Sequence, residues 1–576
     1  MLQSCLLTLF LCFLSLTLTS KTSAAAGIVS EQRAFIEQFA SSRFSIPSET
    51  SPLIDNPGRY PQPLNFLFQN VFAWTPTGEA PEFSDACSRE KWQEHMMDPR
   101  LANSLQLQGA LVEKYFKDCR KELETGSQNT LINALQIMSL SYEPQTHPFL
   151  RRVIINLPGN IKLKGLLALK GDLKRRPMVV VRLGIFSNVE DFRPERGWLM
   201  MLFEQSPFNV LVVENMTSND FITNNTQFSF GGYDEGIQNI HIAKLLTSPD
   251  EPLSKLVQSV HMFGISLGGH GVLFSSLLNK FNSSAKDNLI NSFTALCPVV
   301  NLEPTMRNIT ENGWRSALVD VWSQQRLSGL DEKVPSLKQY EMFHFMSKTV
   351  SEIARTYKGG LSYVSTIKLP PGMKDRGDFW ALNDFWSYYQ DVKQPVVIYA
   401  TQQDSVVPFN LNSEKIRDGA MKITSKNLHV IDFPQGFHCT LPIPYDWSAL
   451  TTMFQSYILS HSPGFQLEEK TFEVDLSDEE WKGFFDQGTH VKFKVQEPST
   501  KDKFVTIAFT VKNSKNAEKS MRLSLPLSGF DFQFRNAELS QSEKDMIVRW
   551  VNQNLKTRMT VKAGKPVLVA SWKIAQ

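Results

Sequence analysis

Val257-Gln258-Ser259-Val260-His261-Met262-Phe263-Gly264-Ile265-Ser266-Leu267-Gly268-Gly269 decides how this chain is read. Val257–Phe263 reads as a short apolar run, suited to a strand buried on both faces of a sheet. Ser266 then stands between glycines two residues to either side, and Gly269–Lys280 continues at helical spacing. The Gly-x-Ser-x-Gly pattern is ordinary by itself. Between a strand and a helix it acquires a physical meaning, because the turn is so tight that side chains at 264 and 268 would collide. Such a turn pushes the Ser266 hydroxyl out at the sheet edge. The helix start places the backbone N–H of Leu267 where a negative carbonyl oxygen would form.

Working outward, further short apolar runs occur at Met178–Val181, Val210–Val213, Phe293–Leu296, Val396–Tyr399 and His429–Phe433. Helical stretches such as Gly236–Leu246 lie between most of them, which predicts an α/β doubly wound, mostly parallel sheet. Val153-Ile154-Ile155 and Ile161–Leu169 flank Pro158-Gly159-Asn160, a turn tripeptide, and predict a paired-strand entry to that sheet. The unit is expected over 148–463, ending at Ser462-Pro463-Gly464. Residues 301–392 are too many for a simple crossover and carry aromatic clusters such as Phe385-Trp386-Ser387-Tyr388-Tyr389. They predict a helical cap over the C-terminal strand ends, where ligands bind in such sheets. Residues 27–147 mix helical periodicity with Pro-rich loops and predict a mainly helical N-terminal region. Residues 464–576 alternate in period two at Val491–Val495, Phe504–Val511, Met521–Leu527 and Phe530–Phe534, with a helix at Ser540–Leu555 and a last strand at Pro566–Trp572. That pattern predicts a small β-rich α+β accessory domain, for packing or for binding a surface or polymer.

A serine hydroxyl is a poor nucleophile without a base. Asp404 follows the strand at Val396–Tyr399, and His438 follows the strand at His429–Phe433, giving the chain order serine, acid, histidine. Glu303, just after the strand ending at Leu296-Cys297, is the alternative acid. Among the other histidines, His261 falls mid-strand as a core residue and His270 in the helix after the serine. The second oxyanion donor is expected in the loop Arg182-Leu183-Gly184-Ile185-Phe186-Ser187. Gly184 allows close backbone approach, so the N–H of Ile185 is the first choice and Phe186 the second.

At these residues the chain resembles the α/β-hydrolase superfamily, in particular the esterase, lipase and serine-peptidase branch with a cap before the acid strand. The resemblance spans roughly 148–463. It rests on Gly232-Tyr233-Asp234-Glu235-Gly236, on Ser266 with its glycines, on Asp404 with Val407-Pro408, and on Gly436 with His438. It implies Ser266 as nucleophile, His438 as general base and then acid, and Asp404 as the group that orients His438. One departure is Leu183-Gly184, where the family's oxyanion loop usually carries His-Gly. The reaction implied is acyl transfer on a small acyl substrate: a carboxylic ester, with a short peptide as the alternative. A non-catalytic binding protein that kept the fold is the third reading. No cofactor and no metal are required, and neither a zinc-protease motif nor a dinucleotide fingerprint occurs.

Composition bounds the rest. The chain has 576 residues, 42% hydrophobic and 20% charged, with a net charge of +2 that offers no case for nucleic acid as a partner. Forty phenylalanines imply large apolar cores and room for an apolar substrate pocket. Leu6–Leu18 is almost unbroken apolar sequence followed by Ser23-Ala24-Ala25-Ala26, so residues 1–26 are expected to be a signal peptide for export to a periplasm or the medium. No Lys or Arg precedes the run, which leaves an uncleaved anchor as the alternative. No other stretch approaches the ~18 apolar residues of a membrane span. Cys87, Cys119, Cys297 and Cys439 remain after signal removal. Cys87 with Cys119 is the preferred disulfide, leaving Cys297 and Cys439 near the site, paired or free.

Overall fold

In a computed structural model of the chain, residues 150–330 and 367–464 are described for the most part, with pieces of 35–46 and 111–119 and the strands between 473 and 568. The expected signal peptide, Cys87, most of the N-terminal region and the helix expected at Ser540–Leu555 lie outside the described residues. The centre is a nine-stranded sheet in the order β1-β2-β3-β5-β4-β6-β7-β8-β9. β1 (Phe44–Ser45), β2 (Leu150–Leu157) and β3 (Ile161–Ala168) enter antiparallel. The turn between β2 and β3 needs left-handed backbone at Gly159 (φ 74°) and Asn160 (φ 60°), which glycine and asparagine tolerate better than other residues. β4 (Arg176–Arg182), β5 (Asn209–Val213), β6 (Val257–Ile265), β7 (Ser292–Leu296), β8 (Val396–Thr401) and β9 (Leu428–Phe433) run parallel.

The sheet holds because both of its faces are apolar. Along β4, Met178 and Val180 face one core while Val179 and Val181 face the other, the alternation that a pleated strand imposes. The first face is covered by α2 (Gly232–Thr247) and α3 (Leu267–Asn282), through Ile237, Ile240, Leu273 and Phe274. α1 (Asn219–Asn225) precedes them, capped by the Ser218 hydroxyl, which accepts from the Phe221 N–H. The second face is covered by α7 (Trp447–Ser460), whose Phe454 ring meets Phe263 and Tyr399 edge-on at 5.4 and 5.1 Å. Between them in sequence come α4 (Leu302–Glu311), α5 (Gly313–Leu327) and α6 (Ser413–Ile423).

Strand order places the site. After β4 the chain moves one strand outward to β5, then crosses back to β6 on the other flank of β4. Loops leaving β4 and β6 therefore diverge and open a crevice at the C-terminal ends of those strands. Leu302, Met306, Leu327, Leu330, Val334 and Phe379 of the segment 301–392 gather there with Leu267 and Val407. Phe385 and Tyr388 of the same segment instead join the sheet's own core, 5.9 and 6.0 Å from the Phe274 ring. Beyond residue 464, the described strands form an antiparallel five-stranded sheet between 473 and 535 and a hairpin of Met559–Lys562 with Lys565–Leu568. No helix among the described residues is long and apolar enough to cross a membrane.

Glu214, at the end of β5, ties the sheet to α1. Its carboxylate accepts from the Lys164 N–H and from the Ser218 hydroxyl, both at 2.7 Å. Burial pushes its pKa up to about 8. The folded state thus holds a proton there that the unfolded chain, with an ordinary carboxyl, releases at much lower pH. This contribution to stability is complete below about pH 4.5 and is lost as pH rises through about 8. Glu214→Gln keeps the bond accepted from the Lys164 N–H, lets Nε2 donate to the Ser218 hydroxyl oxygen in place of accepting from it, and carries no charge, so the fall in stability between pH 5 and 9 is expected to become shallower. Denaturant unfolding at pH 5, 7 and 9 checks this, and identical slopes in both proteins would refute it.

Candidate active site

Ser266 sits between β6 and α3 with φ 56° and ψ −120°, a left-handed conformation that costs a non-glycine residue about 1–3 kcal/mol. Its own backbone holds it there: the N–H donates to Leu296 O at 2.9 Å, and its carbonyl accepts from the His270 N–H at 3.2 Å. The two glycines of the turn each meet backbone. A Cβ on Gly264 would overlap the Gly268 carbonyl, and one on Gly268 would overlap the carbonyls of Arg182 and Leu183. The second contact presses the turn against the end of β4, so the loop expected to supply an oxyanion donor lies beside the serine.

The structure brings Ser266, His438 and Asp404 together. His438 Nε2 lies 2.8 Å from Ser266 Oγ, and His438 Nδ1 lies 2.7 Å from Asp404 Oδ2. Asp404 follows β8, and its other oxygen accepts from the N–H groups of Val406 and Val407 at 2.9 and 2.8 Å. Its side chain is 2% exposed, while that of His438 is 21% exposed, so the imidazole can meet a ligand that the carboxylate cannot. Glu303 plays no part: it lies in the first turn of α4, paired with Arg307 at 2.6 Å in the open. His261 is a core residue held by the hydroxyls of Ser259 and Ser292, and burial lowers its pKa to about 3. His270 is likewise buried and neutral, packed edge-on against Phe274.

The two oxyanion candidates after β4 are distinguished by their bonding. The Phe186 N–H is already committed to Thr217 Oγ1 at 2.6 Å. No acceptor among the described residues takes the Ile185 N–H, and Ile185 packs beside the cluster that contains Leu267. Leu267 begins α3, where a backbone N–H has no acceptor within its own helix. A serine on a base, a base on a buried carboxylate, and two uncommitted N–H groups form the kit that acyl transfer needs.

Sequence reading left the pairing of Cys297 and Cys439 open, and the structure joins them in a disulfide with a Cα–Cα distance of 5.5 Å. Cys297 follows β7 and Cys439 follows His438, so the bond fastens the histidine loop to the end of β7, across β8. Cys119 is also disulfide-bonded. Cys297, Cys439 and His438 are close enough to share a metal ion. With the two sulfurs bonded to each other, however, the thiolates that a metal would need are absent. Reading the sequence also missed the buried polar side chains behind the oxyanion loop, Arg182, Asn215, Thr217 and Glu235. The signal was the polar run Glu214–Asp220, directly after an apolar strand.

The strand order, the strand–turn–helix at Ser266, and the acid and histidine at the ends of β8 and β9 define an α/β-hydrolase fold. Among solved structures, a Pyrococcus furiosus esterase matches 56% of this chain and 97% of its own at 14% identity and a TM-score of 0.34. Porphyromonas gingivalis dipeptidyl peptidase 4 matches 54% of this chain and 35% of its own, at 12% identity and 0.33. An acylaminoacyl peptidase matches 55% and 43%, at 12% identity and 0.30. No protein-family model matches the chain, and no curated protein does.

Replacing both cysteines, as Cys297→Ser with Cys439→Ser, removes a cross-link over a sequence separation of 142 residues. Such a loss is expected to cost about 2–4 kcal/mol of stability. It should also lower any turnover that depends on His438, because the histidine loop is no longer fastened to β7. Denaturant unfolding measures the first effect, and no change in midpoint would contradict it.

Proposed function

We propose that this protein is a serine hydrolase that cleaves carboxylic esters through an acyl-enzyme on Ser266. The observation that carries the reading is the continuous relay from Ser266 Oγ through His438 to Asp404. In the first half-reaction Ser266 Oγ attacks the substrate carbonyl carbon while His438 Nε2 takes the hydroxyl proton. Asp404 holds the proton on Nδ1, so that Nε2 is the free base, and stabilises the imidazolium as it forms. The N–H groups of Leu267 and Ile185 take the oxyanion. His438 then gives its proton to the departing alcohol, and water, activated by the same histidine, releases the acid.

Leu267 and Val407 lie in one apolar cluster with Phe186, Leu302, Met306 and Phe379, which favours an apolar acyl group over a charged one. Phe437, next to His438 in sequence, is 70% exposed. Export fits the apolar N-terminal run and the Cys297–Cys439 disulfide, since such bonds persist in oxidising compartments. On this reading residues 1–26 are the signal, 27–147 a wrapping region, 148–463 the hydrolase unit with its cap at 301–392, and 464–576 an accessory domain.

A fluorophosphonate is expected to label the wild type and to leave Ser266→Ala unlabelled. Asp404→Asn should lower kcat by about 10,000-fold, because the histidine loses the tautomer it needs, while Glu303→Gln stays near wild type. Short p-nitrophenyl esters should be turned over faster than aminoacyl anilides. Faster anilide cleavage would make the protein a peptidase. A wild type that neither labels nor turns over any acyl substrate would end the catalytic reading.

A further inference from the structure

Behind the loop that offers the Ile185 N–H lies a set of polar side chains with no access to solvent. Arg182, Asn215, Thr217 and Glu235 are each 0–1% exposed. Asn215 uses every hydrogen-bonding position of its amide. Its Nδ2 donates to Leu183 O at 3.0 Å and to Glu235 Oε1 at 2.5 Å. Its Oδ1 accepts from the Thr217 N–H at 3.0 Å and from the Thr217 hydroxyl at 2.6 Å. The Asn215 backbone N–H donates to Ser187 O at 3.0 Å. Thr217 Oγ1, having given its proton to Asn215, accepts from the Phe186 N–H at 2.6 Å.

Three points of the loop are thereby held: the carbonyl of Leu183, the N–H of Phe186 and the carbonyl of Ser187. Phe186 is kept at φ 59°, which a bulky residue does not adopt without compensation. Ile185 lies between the held points, and no acceptor among the described residues takes its N–H. The direction of each bond is fixed. The Thr217 N–H can only donate, so Asn215 Oδ1 must face it and Nδ2 must face Leu183 O and Glu235; the Phe186 N–H can only donate, so the threonine hydroxyl must turn a lone pair to it and its proton to Oδ1. Glu235 is paired in turn with Arg182, whose Nη2 lies 3.6 Å from it and 2.9 Å from Gln238 Oε1.

We infer that Asn215 and Thr217 are positioning residues for the reaction, setting the Ile185 N–H toward the oxyanion by pinning the loop on both sides of it. This rests on the serine-hydrolase reading and adds two residues that touch neither substrate nor Ser266. Asn215-Met216-Thr217 also has the form of a glycosylation sequon, but the asparagine is fully buried and its amide fully occupied.

The test measures kcat and KM on a short p-nitrophenyl ester for the wild type, Thr217→Val, Thr217→Ser and Thr217→Ala. Rates are normalised to folded protein by near-ultraviolet circular dichroism. Valine keeps the shape and removes the hydroxyl, so kcat is expected to fall by about 10–100-fold with KM within about twofold, as for a misplaced transition-state donor. Serine restores the hydroxyl and should return kcat to within about threefold of wild type. The acid limb of the pH–rate profile, which reports His438, should not move in any variant. Should the valine variant not fold, the alanine variant, with less bulk against the loop, is read in its place against the serine variant. A valine or alanine variant with wild-type kcat overturns the inference, as does a loss that vanishes on normalisation or that serine does not rescue. An inactive wild type defeats the hydrolase reading and this inference together. An active wild type with an indifferent position 217 defeats this inference alone.

Discussion

The site depends on a single turn in which β6 becomes α3 within one residue. Ser266 pays for that turn with a left-handed backbone, and the neighbours that hold it are themselves part of the site. Leu296, which accepts its N–H, ends β7 next to Cys297, and Cys297 carries the disulfide to the histidine loop. Gly268 lies against the carbonyls of Arg182 and Leu183, so the close approach that requires glycine also brings the end of β4 to the serine. One steric constraint thereby fixes the distance between the hydroxyl and the loop that faces it. The helix begun by the same turn supplies an unpaired N–H without any further device.

The other two members of the relay are held by different means. Asp404 is fixed locally: two N–H groups from its own loop bind one oxygen and leave the other for His438. On the proposed hydrolase reading, that arrangement suits a group that must keep still while a proton moves nearby. His438 has no such nest. Its loop is closed by a hydrogen bond from the Phe437 N–H to Thr440 Oγ1 and fastened at Cys439. It remains partly open, as the proposed reading requires of a group that meets both hydroxyl and leaving group. Rigidity is spent on the acid and access on the base.

Much of this was legible in the sequence. The apolar runs announced the strands of the parallel sheet because a strand covered on both faces has no polar side to show. The relay was legible because its residues are tied to strand ends and come in a fixed chain order. What could not be read depends on contacts between distant segments. The pairing of Cys297 with Cys439 rests on β7 and the loop after β9 meeting across β8. The aromatic run at 385–389 looked like cap, yet Phe385 and Tyr388 pack against Phe274 in the core, because amphipathic sequence does not say which apolar surface it will cover. Asn215 and Thr217 carried no catalytic signature in the sequence, where they have only the form of a glycosylation sequon. Only the fold shows that their turn backs onto the loop after β4.

The buried pair of Arg182 and Glu235 makes little sense as a source of stability. Removing two charges from water costs several kcal/mol for each ion, and apolar side chains of like volume often serve a fold as well or better. Burial in fact pushes the Glu235 pKa up to about 7, against the pull of Arg182, which shows how far desolvation opposes the charge. An apolar pair could fill the space but could not accept from Asn215. Without that bond one Nδ2 proton of the asparagine would be buried with no acceptor, and the network would lose its tie to α2. Directional order is what a buried polar network supplies and a greasy core does not. On the proposed reading it matters at this place because the N–H that would meet an oxyanion belongs to a loop that no helix or strand holds.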